Sequence, residues 1–559
     1  MPSFRLLMFD IQNKNFKLKH KMTSKKLLSF FLGVLFIFTS CSDSKDPKDA
    51  IPADANYVVC VDAKSLVTKS EYDIFSNPMI QQAISMYKVT LKDESAVKLL
   101  DSFLNDANSL GLDLKGDLYF YTNYKVYGVV AGVNNADKVK DALVKFSLVQ
   151  EEDIKKEGGI YTVAPESQTC VAWNGNKLLL LVDIASAYGS ANDVKETPNL
   201  PELARTQLKQ GADKSINSNP EFVEFLKSKK DISTFFSMKG MDKTLPDLAG
   251  LAKATDVTIP FKKFLSDIDG VSTGIYTSFE NGEVKFENKY FYDSPESEKK
   301  FKDLLAQLSG NIKGDQLKYI TNDPLFLASA NVKGEGAYSY LEKLGFIELL
   351  TKELPEGVEP DEIQKILKDL NGDITFAITS KTATKQKDDI FSDMGAPTPE
   401  FVFFADITNP EEVIGFIKQQ LANGEMKYTE LSPTNFKISS NNVDVYWGAN
   451  GNTFFFTNNQ VVYNNLKASD LTSNYSDVIK DKSIVMLGDL QVLQSYMTNN
   501  MAFQAFGPFL SEFGKYEFTS AGDLTGVGRL ELATKDKNSL AVICKQLDQL
   551  ISSFGGMFR

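Results

Sequence analysis

Few residues in this chain have the types and spacing that do chemistry. Gly270-Val271-Ser272-Thr273-Gly274 spells G-x-S-x-G. That pattern places a serine nucleophile on a strand-to-helix turn beside an activating histidine. Here the five residues run into a strand pattern. The single histidine, His20, lies upstream of the expected mature start. A chance match is therefore expected. Ser95-Ala96-Val97-Lys98 spells S-x-x-K without the companion motifs of that enzyme class, and reads as a solvated helical face. Asp369-Leu370-Asn371-Gly372-Asp373 opens like a calcium loop, and Asp113, Asp117, Asp267 and Asp269 recur near equivalent turns. Calcium takes about six or more oxygens, with a bidentate Glu at the twelfth loop position. Counted from Asp369 that position is Ser380, flanked by Thr379 and Lys381. Asp, Asn and Gly also build tight turns, and a turn is the expectation.

Without a histidine in the mature chain, Ser-His-Asp and Cys-His catalysis and His-based zinc or iron sites fall away. Cys60, Cys170 and Cys544 show no CxxC spacing and sit among apolar neighbours, so they read as small core residues. A Cys60–Cys170 disulfide fits an oxidising compartment but has no further support in the sequence. Neither a phosphate loop nor a dinucleotide fingerprint occurs. No catalytic residue, metal or cofactor is expected. Glycoside hydrolysis by two carboxylates stays formally open, since acids alone suffice for it, but no spacing selects a pair.

Two patterns remain. Lys25–Cys41, KKLLSFFLGVLFIFTSC, has a charged start, a short apolar run and small residues before a cysteine. It reads as a secretory signal, too short to cross ~30 Å of hydrocarbon. Its end resembles a bacterial lipobox, so Cys41 is the expected lipidation site, and translation is expected to start at Met22. Ser42–Asp49 is polar and acidic, a solvated tether. The second pattern is aromatic. Tyr446-Trp447 lies near Asn450, Asn452 and Asn458, and Trp173 leads into Asn174-Gly175-Asn176. Flat rings beside amides suit sugar rings, which makes Tyr446, Trp447, Asn450, Asn452 and Trp173 candidate glycan contacts. The competing reading is a repeated core anchor.

The elements that position these residues recur. Tyr57–Asp62, Leu118–Thr122 and Val126–Ala131 read as strands, closed by a helix Ala136–Phe146 with Val139, Ala142, Leu143 and Phe146 on one face. The order returns with strands Ile232–Met238, Val271–Thr277 and Val284–Phe291, a hairpin at Asn281-Gly282, and a helix capped at Ser294-Pro295. A third copy runs from Leu325–Asn331 to the helix after Asn409-Pro410. A fourth runs from Ile484–Asp489 to a helix carrying Leu540, Ile543, Cys544 and Leu547. Extra strands around Trp173 and Trp447, the two tryptophans, set the first and third copies apart.

The expected architecture is α+β: a tandem duplication of four strand-helix-strand-strand-helix units, with mostly antiparallel sheets and helices packed on one face. Residues 1–40 are upstream extension and signal, and 41–50 the tether. The halves are 51–316 (units 51–229 and 230–316) and 317–559 (units 317–481 and 482–559). Gly310–Asp315 and Ser469–Asp481 are expected linkers.

The leader hides acidity. Residues 1–40 carry seven Lys/Arg and one acid, which leaves 54 bases against 72 acids in the mature chain, a net charge of −18. Such a body repels phosphate backbones, so no nucleic-acid partner is expected.

The lipobox, the acidic tether, and Ile51-Pro52-Ala53-Asp54-Ala55 running into a V-x-V-D type strand resemble Bacteroides-type outer-membrane lipoproteins of a family catalogued as a domain of unknown function. The resemblance implies location and fold relatives, and no catalytic residues. The expectation is a lipid-anchored envelope protein that binds or scaffolds, with the membrane as partner through Cys41. It is expected on the outer membrane facing the exterior, with the periplasmic face as the alternative. A glycan or an envelope protein is the expected further partner.

Overall fold

The computed structural model describes residues 47–559 except 92, 114–115, 124, 184–197, 242–254, 321–323, 353, 355–357, 380–399, 425, 441–442, 469–470, 472–474, 492–506 and 558–559. The signal, Cys41 and part of the Ser469–Asp481 linker lie outside the described residues.

Apolar alternation builds two runs of strands. The first holds β1 (Tyr57–Asp62), β2 (Leu112–Asp113), β3 (Asp117–Thr122), β4 (Val126–Val133), β5 (Lys155–Glu157), β6 (Ile160–Glu166), β7 (Thr169–Trp173), β8 (Lys177–Asp183), β9 (Ile232–Ser237), β10 (Val271–Glu280) and β11 (Glu283–Tyr292). The second holds β12 (Pro324–Lys333), β13 (Leu370–Thr379), β14 (Glu400–Ile407), β15 (Thr429–Ser432), β16 (Asn435–Ser440), β17 (Val443–Asn450), β18 (Thr453–Thr457), β19 (Ile484–Asp489), β20 (Phe513–Ser520) and β21 (Gly526–Leu532).

The helices that matter below are α1 (Ala63–Ser70), α2 (Ala136–Lys145), α3 (Leu200–Lys209), α4 (Pro220–Leu226), α5 (Thr255–Asp267) and α6 (Pro295–Leu308). The second run adds α7 (Gly334–Leu344), α8 (Pro410–Asn423), α9 (Gln460–Asn465), α10 (Ser476–Ile479) and α11 (Ser539–Met557). Polar side chains start several of them: Asn135 accepts from Asp137 N and Lys138 N, and Ser294 closes a capping box with Ser297.

The strands join into one open antiparallel sheet. Its order is β5-β6-β7-β8-β4-β3-β1-β9-β10-β11, then β21-β20-β19-β12-β13-β14-β18-β17-β16-β15, with β2 beside β4. From its outer edge to the middle, each run lays its strands in the same succession. The runs meet where β11 pairs with β21, from Glu283↔Glu531 to Asn288↔Gly526.

Helices cover both faces of the sheet, not one. Strands such as β4, β7 and β8 are apolar on both sides, and each side needs a cover. On the face carrying Cys60, α3 and α4 pack over Val58, Tyr119, Tyr121, Phe235 and Tyr276. The same face of the second run is covered by α9, α10 and Ile312, Leu317 and Ile320. Gly310–Asp315, expected as a polar linker, is thus bound into a core. On the opposite face, α2 packs over Val163, Val171 and Trp173, and α8 over Phe436, Trp447 and Phe454.

The two runs also exchange helices. The helix after the last strand of each run lies on the first helix of the other: α6 on α7, and α11 on α1. No disulfide joins Cys60 to Cys170, although both lie in one core. Burial pushes the Cys170 thiol up to about 12, which keeps it protonated and inert. Cys544 is only half-buried on α11, and Leu547 is exposed.

Candidate functional site

The tryptophans are interior. Trp173 is 0% exposed, lies flat on Tyr161 at 5.2 Å between ring centroids, and donates Nε1–H to the Ala136 carbonyl at 3.0 Å. Trp447 is also 0% exposed, packed on Phe436 at 4.6 Å with Tyr428 edge-on. Its Nε1 is buried and has no acceptor among the described residues. Tyr446 points to the other face, as successive strand residues must, and stacks on Tyr463 at 4.3 Å.

Strand β17 continues to Asn450, so the turn contracts to Gly451-Asn452, with Gly451 at φ 61°. Asn450 Nδ2 donates to the Leu466 carbonyl at 2.9 Å, and the Asn452 carbonyl accepts from Ile407 N at 2.8 Å. The expected set of Tyr446, Trp447, Asn450, Asn452 and Trp173 is therefore not brought together. Both indole faces are occupied by protein.

The acidic and serine motifs are likewise taken up by the fold. Ser272 is buried within β10, opposite Ser237 and Phe291, where no strand-to-helix turn exists. Asp369–Asp373 is not the expected turn: a helix ends at Asp369 and β13 begins at Leu370. Asp373 Oδ2 accepts from Lys313 N at 2.8 Å and Gly314 N at 2.7 Å, and Oδ1 from Asn331 Nδ2 at 2.9 Å. Asp369 accepts from Asn409 Nδ2 at 3.0 Å. Oxygens that face N–H donors are spent, which is the wrong surrounding for a cation. On the helix Glu94–Asn105 the S-x-x-K pair is also engaged: Ser95 Oγ donates to Asp93, and Lys98 pairs with Glu94 at 3.0 Å.

The helix exchange leaves two clefts along the seam. One, of about 230 Å³, is lined by Tyr72, Glu512, Lys537 and Lys545. The other, of about 410 Å³, is lined by Asp267, Lys300, Tyr340 and Lys343. Burial raises the Asp267 pKa, but Lys343 at 2.8 Å and Lys300 at 3.4 Å outweigh it and hold the carboxyl below the ordinary range. A depressed pKa contributes stability above the unfolded value, about 3.9, and loses it as pH falls through the folded value. Lys343→Met is expected to flatten that acid limb in unfolding midpoints measured from pH 6 to pH 2; an unchanged limb would remove Asp267 as its source.

The broadest site-like feature is a surface that only register makes visible. Directly opposed positions share a face, and they form one row across the sheet: Trp447, Phe456, Phe403, Phe376, Ala328, Met486, Phe518, Gly528, Phe286, Thr277, Ile232, Val61 and Leu118. A neighbouring row on this face holds Tyr127, Thr122, Tyr57, Phe236 and Thr273. From β4 to β18 no charged side chain occurs on this face among the described strand residues. The other face of the same middle strands is charged, with Glu283 bonded to Lys285 at 2.8 Å and Arg529 at 2.9 Å.

A family described as "Domain of unknown function (DUF4836)" matches residues 48–540. No curated protein matches. A solved chain titled "Structure of crystal form III of TP0453" is similar at 10% identity and a TM-score of 0.23, covering 49% of this chain and 91% of that one.

Proposed function

Because the chain belongs to the DUF4836 family, a domain of unknown function, we propose its role from its own residues: a lipid-anchored body of the cell envelope that binds or scaffolds and carries out no catalysis. The observation that carries this is the closeness of Cys41 to the fold. Pro47–Ala50 forms a turn of 3-10 helix with Pro47 and Ala50 buried. The Asp49 carbonyl accepts from Gln210 Nε2 at 2.8 Å, and its carboxylate accepts from Asn217. The tether therefore shortens to Ser42–Asp46, at most ~20 Å of extended chain at ~3.5 Å per residue. A body so tethered stays within reach of the leaflet that holds the lipid. Among the described residues no helix is long and apolar enough to cross a membrane, so in this reading Cys41 supplies the attachment.

The test is metabolic labelling with an alkyne fatty acid, followed by fractionation. The chain is expected to label and sediment with membranes, and Cys41→Ala to lose the label and move to the soluble fraction completely. A labelled, sedimenting Cys41→Ala chain would overturn the anchor. Protease shaving of intact cells then separates the exterior, which the Asp43–Asp49 acids favour, from the periplasmic face.

A further inference from the structure

We propose that the uncharged face of the sheet is a binding trough for the hydrocarbon chains of membrane lipids. It rests on the anchored-body reading for its lipid source, and on the sheet alone for its chemistry. Six large apolar side chains of this face remain between 36% and 45% exposed: Tyr57, Tyr127, Ile275, Phe286, Phe376 and Phe456. They are spread over strands β1, β4, β10, β11, β13 and β18, so the open surface crosses both runs and the seam between them. At ~4.8 Å per strand, the floor from β4 to β18 is roughly 58 Å wide.

Glycines flatten the floor. Phe518 lies within 3.5 Å of where a Cβ on Gly528 would stand, and the Tyr516 ring within 2.5 Å of one on Gly488. Each ring therefore lies down over the neighbouring strand instead of standing off it. The ends of the central strands are banked by helices. On one side α11 brings Val542 against Val284 and Leu532; on the other α5 and α6 close over Val271, Tyr290 and Tyr292.

Charge selects the occupant. A protein partner is normally met by a polar, hydrogen-bonding rim around an apolar centre. This floor carries no charge: it offers the hydroxyls of threonines, tyrosines and Ser520, one amide at Asn288, and otherwise hydrocarbon and aromatic surface. The amide is already engaged, donating to the Leu524 carbonyl at 2.8 Å. A ligand that needs no ion pair and no hydrogen bond along its length fits this floor, and an alkyl chain is such a ligand. The run from Cys41 to Pro47 keeps such chains within ~20 Å of the β4 end of the sheet, where Ala50 and Ile51 pack on the Cys60 face.

The experiment uses the full chain carrying Cys41→Ala, in detergent-free buffer, titrated with the fluorescent fatty acid cis-parinaric acid. Saturable enhancement is expected. Phe376→Glu and Ile275→Glu are expected to lower affinity at least tenfold, because each puts a carboxylate on the floor at a position open to solvent. Val527→Glu, at a 54% exposed position on the charged face, is expected to leave affinity unchanged. Unfolding midpoints show which variants fold, and either floor variant suffices. No enhancement, or equal enhancement in a folded floor variant, overturns the trough. A dimer seen by light scattering that Phe376→Glu dissolves, without probe binding, assigns the face to a second copy and also overturns it. Acylation of Cys41 is read separately: probe binding with no lipid on the wild-type Cys41 keeps the trough and removes the anchor.

Discussion

Trp173→Ala and Trp447→Ala are each expected to lower unfolding free energy by about 3–5 kcal/mol, the range for deleting a large buried aromatic. That is a large fraction of the 5–15 kcal/mol that typically separates native from unfolded states. The two sites differ in their polar ends, which gives a sharper check. Trp173 donates to the Ala136 carbonyl, whereas Trp447 Nε1 is buried without an acceptor among the described residues. Phenylalanine at 173 therefore loses a made hydrogen bond and leaves a carbonyl short, worth about 1–3 kcal/mol beyond the packing loss. Phenylalanine at 447 removes an unsatisfied donor and offsets part of its own cavity. Urea denaturation should rank Trp173→Phe as the more damaging of the pair. An unchanged midpoint in Trp447→Ala, with lost retention on a polysaccharide gel, would return the indole to ligand contact.

What the sequence makes legible is whatever depends on local period. Strand limits at Tyr57–Asp62, Thr169–Trp173 and Ile484–Asp489 follow from short apolar runs bounded by polar and turn residues, and the structure has the same bounds. The α+β class and the antiparallel pairing follow from hairpins such as the one around Asn281-Gly282, whose glycine takes φ 71°. Asp369–Asp373 misleads because its composition is that of a turn. The helix instead passes straight into β13, and Gly372 at φ 148° with a register shift before Ile374 absorbs the change of direction. The second layer of helices was hidden for a related reason. A strand apolar on both sides reads as a plain hydrophobic run, which does not say how many layers cover it.

The candidate site has no local signature in the sequence. Phe286 and Phe456 lie in one row of the sheet, yet Phe286 opposes Gly528 and Phe456 opposes Phe403, all distant in the chain. A half-exposed phenylalanine on a strand is ordinary when taken singly. It becomes informative only when thirteen neighbouring strands share the face and none adds a charge. Aromatic motifs near asparagines point to Trp447 because they are close in sequence. The open rings of Phe286 and Phe456 each also have a neighbour from a distant strand, which no local motif shows.

Leu532→Asp is expected to lower unfolding free energy by about 4 kcal/mol or more, and to do so on both sides of the seam. Leu532 is 0% exposed at the end of β21, held between Val284 of β11 and Val542 of α11. A carboxylate there has no partner and keeps its charge only by opening the packing around it. The loss should not stay local. Leu532 N donates to the Gly282 carbonyl at 2.8 Å, Asn538 Nδ2 donates to the Phe279 carbonyl at 2.9 Å, and α11 lies on α1. All three contacts tie the end of the chain to the first run of strands. Hydrogen exchange should therefore show β10, β11 and α1 losing protection together with β20 and β21. The outer strands β6, β7, β16 and β17 have their own cores under α2 and α8 and should keep theirs. Loss confined to β21 and α11 would mean the seam carries little of the stability. Joint loss would mean that each run depends on the helix contributed by the other, so that the continuous apolar face exists only while both are folded.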